Sequence, residues 1–145
     1  MDSHQVTMVQ ESFEKVAPLG IKVAELFYAE LFAIDPSLRE MFQDDMQEQH
    51  KKLLHVLAMV VRSLHAPEKI IGPAEKLAVK HLDYGVQPEH YTFVGNALLR
   101  TLKKGLGENF TPELRAAWVE AFRTLANVMK NAAYGDAPAR MASVG

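Results

Sequence analysis

The stretch AVKHLDYGVQPEHY, residues 78–91, holds the decision about this chain. A histidine, His81, stands among apolar and aromatic neighbours, and a glycine and a proline then close one segment and open another. Leu77, His81 and Tyr84 fall at i, i+4 and i+7, which is one face of a helix. His81 is the polar intruder on that face. Pro88 suits the first turn of the next helix, where the N–H that proline lacks would have had no partner.

The same pattern extends outward in both directions. Val6, Val9, Phe13 and Val16, and then Leu19, Val23, Leu26, Phe27, Leu31 and Ile34, recur at helical spacing, and no segment alternates with the period of a strand. Pro36, Pro73 and Pro112 read as helix starts like Pro88. Asp35 and Thr111, each just before a proline, supply side-chain oxygens for the orphan N–H groups of a helix start. The expected helices run over 4–17, 19–34, 36–42, 46–65, 73–83, 88–106 and 112–133, giving an all-α domain over residues 1–134. Residues 135–145, GDAPARMASVG, combine small residues and a proline without apolar period and read as a flexible C-terminal tail.

Composition narrows the function. A chain of 145 residues holds one domain with a substantial core. Its 48% hydrophobic and 23% charged residues are those of a soluble globular protein, and a formal charge of -2 argues against nucleic acid or anionic membrane as partner. The longest apolar run, LLHVLAMVV, is interrupted by His55 and falls short of the ~18 residues needed to cross a bilayer. No basic-then-apolar leader opens the chain, so the cytoplasm is the expected compartment. There is no cysteine. That excludes disulfides, thiolate metal sites, cysteine nucleophiles and covalent haem attachment through CxxCH.

A second helical face carries a second intruder. Gln49, Leu53, Leu57, Val60 and Leu64 lie at steps of three and four, and only Gln49 is polar. Taken singly, Gln49 reads as a fraying helix start and His81 as a core histidine bonded to backbone. Taken together, two apolar faces with one polar group each suit a planar apolar cofactor carrying a metal at its centre. Neutral imidazole is a good iron ligand, and its second nitrogen can donate to a carbonyl that fixes the tautomer.

Four blocks in order, LFYAELFAIDPSLREMF, QHKKLLHVL, KHLDYGVQPEHYTFVGNALLRTL and AAWVEAFRTLANVM, resemble the globin domain of bacterial flavohaemoglobins and the related single-domain bacterial haemoglobins. The resemblance covers about residues 5–133. It implies the globin fold, with helices packed around non-covalently held haem b, and His81 as the ligand of its iron. It further implies Phe42 packed on the haem and Tyr28, Gln49 and Leu53 forming the distal ligand pocket. Two hydrogen-bond donors there suit dioxygen, whose bound form carries partial negative charge. Leu57, Leu77, Val86, Tyr91 and Val94 complete the cofactor's surroundings, and Lys80 reaches a propionate.

The implied function is reversible binding of dioxygen, carbon monoxide and nitric oxide. The implied enzymatic alternative is nitric oxide dioxygenation, which needs a separate reductase. GLGENF, the only GxG, follows a helix and has Phe110 where a third glycine belongs, so it is no dinucleotide site. Flavohaemoglobins also carry a glutamate late in the last helix that joins a network with the proximal histidine; Ala133 stands at the matching position. His50, one residue and about 100° beyond Gln49, is expected to point away from the iron. No chemistry is assigned to it, nor to His4, His55, His65 and His90.

Overall fold

The computed structural model describes residues 1–42, 46–83 and 87–132, with the side chains of residues 81–83 outside that description. Among the described residues six α-helices carry the fold: α1 Ser3–Val16, α2 Ile21–Ile34, α3 Met46–Arg62, α4 Glu68–Asp83, α5 Pro88–Leu106 and α6 Pro112–Lys130. Short 3-10 turns at Ala17–Leu19, Pro36–Met41 and Gly107–Asn109 lie between them. No strand occurs among the described residues.

Local chemistry accounts for most boundaries. Asp2 accepts from the Gln5 N–H at 2.8 Å while the Gln5 side chain returns a bond to the Asp2 N–H, a reciprocal cap for α1. Asp35 accepts from the Ser37 N–H at 3.0 Å, and Thr111 from the Leu114 N–H at 3.2 Å. At α5 the Gln87 N–H donates to His90 Nδ1 at 2.9 Å, so this histidine is a capping group. Gly107 closes α5 with φ +58°, a conformation that a side chain would strain.

The start of α4 differs from the sequence expectation. The helix begins at Glu68, and Pro73 lies inside it, a full turn past the position where proline is free of cost. The cause is apolar spacing that begins upstream of Pro73: Ile70, Ala74 and Ala78 are all buried, at i, i+4 and i+8. Pro67 and Ala66 provide the entry, their carbonyls accepting from Ile70 and Lys69 at 3.0 and 2.9 Å. Similarly, α3 ends at Arg62 rather than 65, where Ser63 to Pro67 turn the chain.

The core lies where α2 crosses α5 and α1 packs on α6. Val9, Phe13, Phe27, Leu31, Ala97, Leu98, Leu102, Ala117 and Trp118 are buried there. Its polar groups have partners: Trp118 Nε1 donates to Ser12 Oγ at 2.9 Å, and Ser12 Oγ to the Val9 carbonyl at 2.9 Å. α3 packs on α2 and α1, and α4 on α6. Among the described residues α3 and α4 do not pack closely on each other.

Candidate functional site

Tyr28 is buried on α2 inside a shell of rings. Phe27 meets it edge-on at 5.1 Å between centroids, and Phe42, at the end of the turn after α2, does so at 5.3 Å. Phe32, one helical turn along α2, lies at 5.9 Å and also meets Phe42 at 5.6 Å. Such edge-to-face contacts fix the ring's orientation. Burial pushes the phenol up to about 12 from its ordinary 10.0. Tyr28 therefore keeps its proton across physiological pH and remains a hydrogen-bond donor.

α3 packs against α2. Gln49, Leu53 and Leu57 are half-buried along one side of α3, as the spacing predicts. Among the described residues, neither the Tyr28 hydroxyl nor the Gln49 amide is engaged in a hydrogen bond. His50 is an addition to the sequence reading. Its half-buried ring lies 5.5 Å from that of Tyr28, tilted by 36°, so it belongs to the surroundings of the phenol. The one-residue offset from Gln49 does not exclude it, because a helix flank wide enough for two adjacent residues faces α2 here.

On the other side, α4 carries half-buried Leu77 and exposed Lys80. His81 falls in the last turn of α4, but its side chain lies outside the described residues, as do Val86 and Ala133. On α5, Tyr91 is buried and Val94 half-buried. Lys130 of α6 holds its ammonium 5.9 Å over the Tyr91 ring. A cation thus stands beside Tyr91, three residues from the position where the resemblance would put an acid.

These residues fit a planar apolar group. Phe42, Leu53, Leu57, Leu77 and Val94 are large apolar side chains on three helices and a turn, packed against the core yet none of them closed over. Among the described residues α3 and α4, which carry the two expected polar intruders, do not pack closely on each other. The signals that sequence reasoning passed over were partly present: Phe32 follows Tyr28 by four residues, one turn on the same face. The Tyr28–His50 and Lys130–Tyr91 contacts join separate helices, and no local spacing reports them.

The family model described as Globin matches residues 25–129. The chain is 33% identical over 132 residues to a flavohemoprotein of Xylella fastidiosa, an alignment covering 88% of this chain and 33% of that protein. A flavohemoprotein of Bordetella pertussis is 32% identical over 127 residues, covering 83% and 32%. The chain spans about a third of the length of these curated relatives. Among solved structures, a bacterial globin from Campylobacter jejuni matches with TM-score 0.80 at 23% identity, over 92% of this chain and 97% of the other. An engineered carbene transferase from Rhodothermus marinus, assigned as a nitric oxide dioxygenase, matches with TM-score 0.83 at 24% identity over 99% and 97%. These two likenesses establish the fold.

Proposed function

This chain belongs to the globin family, and from that premise we propose that it holds haem b non-covalently on His81 and reversibly binds dioxygen and other diatomic gases, carbon monoxide and nitric oxide among them. The observation that supports this reading is the buried, protonated Tyr28 phenol, packed among three phenylalanines and beside His50 of α3, the helix that also carries half-buried Gln49. When bound, haem would supply the iron at which a gas is taken up. The chain's own residues do the rest: the His81 imidazole ligates, and Phe42, Leu53, Leu57, Leu77, Val86, Tyr91 and Val94 exclude water. Lys80 pairs with a propionate. Tyr28 and Gln49 donate hydrogen bonds to the negative charge that develops on a gas ligand. The compartment proposed is the cytoplasm, and no described helix is long and apolar enough to cross a membrane.

Absorbance of the purified protein, with and without dithionite and carbon monoxide, tests the reading. A Soret band that shifts with carbon monoxide is expected, and its absence sinks the proposal. His81→Ala should lose most of the haem; undiminished haem content would mean that another residue is the ligand. Tyr28→Phe should speed oxygen dissociation by roughly tenfold, the value of one hydrogen bond to charge, and an unchanged rate would reject the phenol as donor.

The relatedness to flavohemoproteins favours a second reading, nitric oxide dioxygenation. That reaction joins nitric oxide and dioxygen as nitrate and uses one electron per turnover, for which a separate reductase is the proposed source. Sustained nitric oxide consumption over many turnovers with a supplied reductase supports it; a single stoichiometric round counts against it.

A further inference from the structure

A groove of about 320 Å3 runs along the seam of α5 and α6, and none of the rings around Tyr28 lines it. Leu99, Val119 and Phe122 give it an apolar floor. Gly95 shapes that floor: a Cβ there would stand 2.8 Å from the Phe122 ring, so only glycine lets the ring lie in the seam. Three cationic side chains, Arg115, Arg123 and Lys130, line the groove, and no acidic one does. They are spaced about two helical turns apart and so share one side of α6.

On a chain of formal charge -2 this row is a local excess of the opposite sign. Arg123 pairs with Glu120 at 3.1 Å on the exposed surface, a contact that water screens heavily. Arg115 and Lys130 form no ion pair among the described residues. The Lys130 end of the groove meets the buried ring of Tyr91, the aromatic residue that follows the α4–α5 connection.

We propose that this groove docks an acidic one-electron carrier protein, and that Tyr91 marks the side on which the electron enters. The proposal rests on the haem-binding reading and, within it, on nitric oxide dioxygenation, which uses one electron per turnover. The row from Arg115 to Lys130 spans roughly 22 Å at 1.5 Å per residue, too long for one small anion to bridge and suited to a row of carboxylates around a small apolar patch. Electron-transfer encounters bury little area and are steered by such charge complementarity. One electron leaves the carrier, which is oxidised by one unit, and one ferric ion held by this chain is reduced; no bond forms or breaks.

Reduced plant-type [2Fe–2S] ferredoxin serves as the probe, with haem-loaded protein. Calorimetric titration with the oxidised ferredoxin reads binding, and stopped-flow mixing with the reduced form reads electron transfer. Reversing Arg115, Arg123 and Lys130 to Glu together should weaken binding at low salt by at least tenfold and slow reduction in parallel. Both effects should vanish near 1 M salt, where the screening length is about 3 Å. Reduction by dithionite and the Soret spectrum should stay unchanged, which separates docking from misfolding. Reversing the exposed Lys15, Lys51 and Lys52 is the control for net charge alone. Failure of the native chain to bind ferredoxin in a salt-sensitive way overturns the proposal. So does a control triple that acts as strongly, or lost binding with an undiminished rate. A native protein without haem absorbance would instead overturn the reading beneath it.

Discussion

Among the described residues, the seam where α1 meets α6 and the partly buried sides of α3 and α4 are both apolar, yet only the first is closed over. Val9, Phe13, Ala117 and Trp118 are buried by helix against helix, and their one buried hydroxyl, on Ser12, is both donor and acceptor. Leu53 and Leu57 on α3 and Leu77 on α4 touch the core but remain half-exposed. The hydrophobic effect scales with area removed from water, so the first seam is complete in the polypeptide, and on the proposed reading bound haem would complete the second. On that reading stability is unevenly distributed, and the α3–α4 side would gain from bound haem by mass action.

The largest expected effect breaks the closed seam. Trp118→Ala should cost about 3–5 kcal/mol in denaturant unfolding, from lost burial and a cavity beside Ser12. The loss should be similar with and without haem. Leu57→Ala should instead cost only about 1 kcal/mol in the haem-free chain, because its side chain is half in water already, and more when haem is bound. Equal losses at both positions in haem-free protein would erase the contrast.

Next in size is the phenol on the open side. Tyr28 is held near 12 by burial, about two units above its ordinary value, so the folded chain keeps a proton that the unfolded chain releases. Stability linked to this group is fully present below pH 10 and is lost progressively as pH rises from 10 to about 12. The total is about 3 kcal/mol, at 1.36 kcal/mol per unit. An ultraviolet titration difference between the native chain and Tyr28→Phe should show one phenol ionising near 12. Ionisation near 10 would mean that the ring shell admits water and that the open side begins at Tyr28 itself.

What could be read in the sequence divides along the same line. The all-helical class, the starts at Pro36, Pro88 and Pro112 and the caps at Asp35 and Thr111 follow from bonds within a few residues, and the structure has them. Pro73 misled because the proline rule is local, while the extra turn of α4 is held by the burial of Ile70, a tertiary fact. Tyr28 and the Gln49 face could be named from spacing and resemblance. His50 and Lys130 gain their places only when α3 meets α2 and α6 meets α5, and helical period carries no such information.

The smallest effect lies in the polar tie across the α2–α5 crossing. Glu30 of α2 is hydrogen-bonded by Lys104, with Arg100 Nη1 at 3.7 Å, and these contacts, the Lys104 bond foremost, hold its carboxyl below the usual value. The sign is opposite to that of Tyr28. A depressed carboxyl contributes above its unfolded pKa and loses its contribution as pH falls through the lower folded one. Glu30→Gln should therefore destabilise by less than about 1 kcal/mol at neutral pH, since both cations are more than half exposed and screened. The difference from the native chain should fade in acid and in 1 M salt. Because the same crossing buries Phe27, Leu31 and Leu98, apolar contact rather than charge must hold it. A Glu30→Gln loss rivalling that of Trp118→Ala would assign the closed side's stability to ion pairing instead.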